Sequence, residues 1–154
     1  MKILTSAEHY GSVVNGDFDY DVYLKEMQRT GQNMTRVFAF YRETCDGSPG
    51  HIRIMVEANS LAPKPPATVI AVQRVPGRGK ALDGLDKFDL DKWNPAYFAR
   101  FKDFLRKCAL HGVICEVTFF SNPYTTHRYA LSPCHKANNI NGVGAGVKNP
   151  DVFI

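Results

Sequence analysis

An arginine set among hydrophobic residues is the first candidate for chemistry in this chain of 154 residues. Arg36 lies within residues 33–41, a run with apolar residues on both faces that predicts a buried parallel strand. A guanidinium cannot shed its charge in a protein, so an interior arginine needs a counter-charge. Glu116 answers that need. It stands fourth in a second strand-like run, residues 113–120, as Arg36 stands fourth in its own. Adjacent parallel strands of similar start would therefore hold the two at one level. Alternation puts Met34, Arg36, Phe38 and Phe40 on one face, and Ile114, Glu116, Thr118 and Phe120 on one face of the neighbour. A buried Arg36–Glu116 ion pair is the direct expectation, and such pairs are often structural rather than catalytic.

Further candidates cluster where the strand-like runs end. Glu8, His9 and Tyr10 follow the first run, Tyr41, Arg42 and Glu43 the second, and Asn122 and Tyr124 the third. Loops at such ends concentrate function, although polar residues there also serve as loop caps. His9, His127 and His135 fit no compact metal-ligand spacing, and Cys45, Cys108, Cys115 and Cys134 form no CxxC pair. Neither a metal nor a cofactor is expected. Asn138, Asn139 and Asn141 sit among glycines in ANNINGVGAG (137–146), where left-handed turn positions select the same residues. Trp93 precedes the helix N-cap Asn94 and is expected to staple that helix start.

The elements that must position these residues follow in order. Residues 3–6 form a short strand. Tyr20, Tyr23, Leu24 and Met27 then give one apolar helical stripe, closed by Gly31. The second strand leads into a long loop, 42–92, that carries LAPKPP (61–66) and PGRGK (76–80), with short apolar runs at 51–56 and 68–72 able to add strands. Asn94 and Pro95 start a helix whose face is Tyr97, Phe98, Phe101, Phe104, Leu105 and Cys108, and Gly112 ends it. The third strand breaks at residues 121–124, and the tail from 125 to 154 reads as a further loop. Two βαβ units in series imply a parallel α/β sheet, a pattern shared by doubly wound sheets and (β/α)8 barrels. No G-x-G-x-x-G follows the first strand, which argues against a dinucleotide fold.

Composition narrows the partners. The net charge of +4 is spread along the chain without a run of five like charges, so no nucleic-acid patch is expected. No apolar run approaches the roughly 18 residues of a membrane span, and the start MKILTSAEHYG is too short in its apolar part for a signal peptide. Cysteine usage fits a reduced, cytosol-like compartment. One soluble domain over residues 1–154 is the default.

Four stretches carry a resemblance: ILTSAEHYG (3–11), GQNMTRVFAFYRE (31–43), the segment 87–124 beginning KFDLDKWNPAYF, and ANNINGVG (137–144). Together they resemble the opening third of cellulase-like glycoside hydrolases with a (β/α)8 barrel, the retaining clan that acts with two glutamates. The resemblance implies an α/β fold consisting of an incomplete (β/α)8 TIM barrel, about three of eight βα units with a long loop after strand 2. It implies a carbohydrate substrate, a β-linked poly- or oligosaccharide. The acid/base glutamate of that clan follows an asparagine, and this chain holds no Asn-Glu dipeptide. Both catalytic glutamates are therefore expected beyond residue 154, and the fragment alone is expected to be inactive. Arg36 matches the arginine that supports the nucleophilic glutamate. His9, Tyr41, Glu43, Asn122, Tyr124 and Asn139 become expected sugar contacts. Glu8 and Glu43 form another conceivable carboxylate pair, but the resemblance places the catalytic pair elsewhere. The alternatives are a non-catalytic carbohydrate-binding module and a fragment that self-associates through open sheet edges.

Overall fold

The computed structural model describes residues 4–8, 16, 18–39, 69–119, 129–130 and 132–144. Their elements are β1 (Ser6–Glu8), α1 (Tyr20–Arg29), β2 (Met34–Phe38), β3 (Val72–Arg74), β4 (Phe88–Trp93), α2 (Pro95–Leu110) and β5 (Ile114–Thr118).

Both helices begin on the side chain that local chemistry favours. Asp19 accepts a hydrogen bond from the Val22 amide at 3.0 Å and starts α1. Asn94 starts α2, its Oδ1 accepting from the Ala96 amide at 3.1 Å while its Nδ2 donates to the Ile70 carbonyl at 2.8 Å. Pro95 occupies the first helical position, and Trp93 meets Phe98 edge to face with ring centroids 5.6 Å apart. That contact, from the residue before the cap to the fourth helical residue, is a hydrophobic staple. Gly31 (φ 74°) and Gly112 (φ 67°) turn the chain out of each helix in the left-handed conformation that glycine tolerates best.

The strands β1, β2 and β5 form a parallel sheet with β2 in the centre. Thr35 and Val37 of β2 are buried, and Val37 packs with Leu24 and Met27 of α1 and Tyr97, Phe104 and Cys108 of α2. Burying each large side chain of this kind stabilises the fold by about 1.5–3 kcal/mol. The polar groups inside are paired: the Tyr23 hydroxyl shares a 2.8 Å hydrogen bond with Thr35, and Tyr97 donates to the Ala39 carbonyl at 2.5 Å. Burial pushes the Tyr97 phenol above its ordinary value, so it stays protonated as a donor. A charged seam joins the two helices. Tyr20 donates to Asp103 at 2.7 Å, and Lys107 reaches Asp21 at 2.6 Å. The Tyr20 hydroxyl, helped by Arg106 and Lys107, holds the Asp103 carboxyl well below the usual carboxylate range.

The expected incomplete barrel does not form. Among the described residues there are two helices and five short strands, divided between a three-stranded parallel sheet and a separate two-stranded antiparallel one. Closure needs strands staggered around a ring with their inward side chains filling the middle. Here the β2 face opposite the helices carries Arg36 and leads to exposed Ile114 on β5. Two βαβ-like units in series are common to many parallel sheets, and the barrel expected from the family resemblance is not among the described elements.

The second sheet lies in the segment expected to be loop. β3 pairs with β4, with a register shift between Val72 and Gln73. Arg74 anchors the connection: its guanidinium grips Asp83 at both nitrogens, donates to the Asp86 carbonyl at 2.7 Å and lies 4.0 Å over the Phe88 ring. The tail is also more than a loop. The Phe88 amide donates to the Asn138 carbonyl at 2.8 Å, and the Ile140 amide to the Phe88 carbonyl at 2.8 Å, so residues 138–140 run along β4. The Asn138 side chain accepts from the Leu82 amide at 2.8 Å and donates to the carbonyls of Ala130 and Ser132.

This packing brings backbone close to Gly144, where φ is 88° and an added Cβ would lie 1.9 Å from the Cys134 carbonyl oxygen. At Gly77, φ is 76° but an added Cβ meets nothing within 4 Å. Gly77→Ala should then cost only the conformational strain, about 1 kcal/mol, and Gly144→Ala clearly more, up to about 3 kcal/mol. Denaturant unfolding of both variants checks this, and equal losses would reject the close approach.

Candidate functional site

The parallel ladder aligns Glu8 of β1, Arg36 of β2 and Glu116 of β5 at one level. Arg36 and Glu116 meet in a two-point ion pair: Nη2 donates to Oε2 at 3.1 Å and Nε lies 3.0 Å from Oε1. The structure thus brings these two residues together, but not in the interior. Their side chains are 44% and 39% exposed, which corrects the expected burial. Both helices pack on the face of Thr35 and Val37, and strict alternation turns Arg36 to the other side. A half-exposed pair in good two-point geometry fixes the direction of a planar cation more than it stabilises the fold.

Of the other expected contacts, His9, Tyr41, Glu43, Asn122 and Tyr124 lie outside the described residues, as do Tyr10 and Arg42. Asn139 is described, and it sits elsewhere. It is only 2% exposed, and its Nδ2 donates to the carbonyls of Pro133, His135 and Val143 at 3.0–3.1 Å. None of these bonds reaches β2 or β5. Its Oδ1 is buried without a hydrogen-bond partner, a cost accepted for the three loop carbonyls that the amide gathers.

A second polar group joins Asn141 of the asparagine-rich stretch to two carboxylates, Asp89 and Asp91, that the sequence did not single out. The Asn141 amide donates to Asp91 at 2.9 Å and lies 3.4 Å from Asp89, while its Oδ1 accepts from the Leu90 amide at 2.9 Å. Two residues beyond Asp91 on β4, Trp93 is 56% exposed although it staples α2. The same strand thus carries an exposed indole and two carboxylates joined to an amide, the residue types that contact polyhydroxylated ligands. The alternation Phe88, Leu90 against Asp89, Asp91 was the available strand signal, hidden because it runs directly into the helix start. Among the described residues no three His, Cys, Asp or Glu side chains gather as a metal site would require, and no helix is long and apolar enough to cross a membrane.

Residues 64–153 match a sequence family described as DUF6298, a domain of unknown function. The chain belongs to that family. The match takes in β3, β4, α2, β5 and the asparagine-rich loop, hence Glu116, Asp89, Asp91 and Trp93, and begins after Arg36. No curated protein and no solved structure matches the chain.

Within the DUF6298 region, the His135 side chain is tied to the asparagine loop. Its Nδ1 accepts from the Ala137 amide at 3.1 Å, its ring lies 5.1 Å from that of Tyr129, and desolvation lowers its pKa. The folded chain therefore binds this proton less readily than the unfolded chain. Stability contributed here should be present above about pH 6.5 and fall as pH drops through that value. Melting curves of wild type and His135→Gln from about pH 8 to pH 5 test the sign: the two should diverge on the acid side, and parallel curves would reject it.

Because the Arg36–Glu116 pair is half exposed, Arg36→Ala should lower stability by only about 0–1 kcal/mol. Chemical denaturation reads the difference, and a loss above about 3 kcal/mol would instead signal a buried pair.

Proposed function

We propose that the chain is the carbohydrate-handling part of a retaining glycoside hydrolase acting on β-linked poly- or oligosaccharide. Its two catalytic glutamates lie outside residues 1–154, and Arg36 supports one of them. The reading rests first on the likeness of residues 31–43 and 87–124 to that class of enzyme. The observation that carries it furthest is the two-point hold of Glu116 on Arg36, on the sheet face that the helices leave uncovered. A guanidinium fixed in direction and still accessible lowers the pKa of a carboxylate brought beside it, which keeps a nucleophile ionised. Glu116 then acts as a positioning residue. Lysine would keep the charge but lose the fork that Glu116 grips.

In the longest natural protein that carries this chain, Arg36→Lys should reduce kcat on a β-glucan by on the order of 100-fold with KM little changed. Unchanged turnover in a folded variant would sink the role. Residues 1–154 alone should show no turnover, and hydrolysis by them would place the catalytic pair inside the chain.

A second reading, binding without cleavage, is favoured by exposed Trp93, two residues along β4 from the Asp91 carboxylate that accepts from Asn141. Titration with soluble β-glucan separates the two readings: saturable binding abolished by Trp93→Ala, with no hydrolysis in the longest protein, is the outcome it requires.

A further inference from the structure

Cys108 and Cys115 are separated in sequence by a helix end and a turn, yet the fold packs both on one core cluster. Cys108 completes the buried side of α2 with Tyr97 and Phe104 and is 1% exposed. Cys115 pairs across the ladder with Thr35, which is fully buried on the helix side of β2. Register partners in neighbouring parallel strands share a face, so Cys115 also turns toward the helices, and it packs on the same core cluster as Cys108. Gly112 reverses the chain between them, and the Val113 amide closes the turn on the Cys108 carbonyl at 2.8 Å. Cys108 belongs to the buried cluster and Cys115 packs against it, so both thiols border the same core. Cys108 is sealed, whereas Cys115 is only partly buried.

We propose that Cys108 and Cys115 are a reversible disulfide pair, oxidised by a hydroperoxide entering at Cys115, that staples the last turn of α2 to β5. The Cys115 thiolate attacks one peroxide oxygen. The O–O bond breaks, leaving sulfenic acid at Cys115 and, with hydrogen peroxide, a hydroxide that takes up the thiol proton as water. The Cys108 sulfur then loses its proton, attacks the Cys115 sulfur and expels the sulfenic oxygen as a second water. Two thiols and one peroxide become one disulfide and two waters, and a dithiol reductant reverses the change. The order of events follows from the environment. The interaction between the two thiols draws Cys115 below its ordinary pKa, and that interaction together with burial pushes Cys108 up. The more exposed, more acidic thiol is the one that meets oxidant first.

The test uses the whole chain with Cys45→Ser and Cys134→Ser, leaving the pair alone, beside unaltered protein in which peptide mapping finds the bond directly. Hydrogen peroxide should remove both thiols of the variant, lower the intact mass by about 2 Da and yield one cross-linked peptide holding Cys108 and Cys115. Adding Cys108→Ser should strand Cys115 at the sulfenic acid, which a 1,3-dione then captures. Retention of both thiols overturns the proposal. So does a bond that forms only between molecules, or conversion of Cys115 to sulfinic acid while Cys108 remains reduced.

Discussion

The structure depends on one packing constraint: α1 and α2 cover the same face of the parallel sheet. Thr35 and Val37 point into that contact and Cys115 and Val117 extend it, whereas Arg36 and Glu116, on intervening positions, are turned outward. A strand's alternation makes these consequences inseparable. The same burial that builds the core with Leu24, Phe104 and Tyr97 also presents a cation clamped by a carboxylate on the opposite side, and it closes two thiols together beneath α2. A charged candidate site and a sulfur pair are thus two faces of one strand pairing.

Asparagine holds the rest of the molecule. Asn94 caps α2 and ties it to Ile70, Asn138 joins the β3–β4 connection to Ala130 and Ser132, Asn139 gathers three carbonyls, and Asn141 braces Asp89 and Asp91. An amide side chain donates and accepts, so it substitutes for the ladder partner that irregular backbone lacks. This explains how an asparagine- and glycine-rich stretch packs against a strand. Composition points there to turns, and the turns are present, but the asparagines within them are buried connectors.

The legible and illegible parts divide by range. The start of α2 at Asn94, the ends of both helices at Gly31 and Gly112, and the Trp93 staple rest on contacts within a few residues, which local rules capture. The β3–β4 sheet rests on pairing across an irregular register, anchored by an Arg74–Asp83 grip that nothing in the local pattern announces. The βαβ order left a doubly wound sheet and a barrel both open, because it does not state how a sheet ends, and it was the family resemblance that pointed to a barrel. The aligned carboxylate and amide group of Asp89, Asp91 and Asn141 was hidden for the same reason, since its members lie about fifty residues apart and meet only through the third element that joins β4.

The sequence by itself determined the two helices and their glycine ends, the Asn94 cap, the parallel βαβ order, and the level at which Arg36 faces Glu116, because each follows from a short-range period or from counting along a strand. Tertiary structure alone decided which face of β2 the helices would cover. Alternation specifies which residues share a side and is silent on which side is buried; that choice is made by the apolar stripes of α1 and α2 finding Val37. It turned an expected buried pair into an accessible one, and it set Cys115 against Cys108.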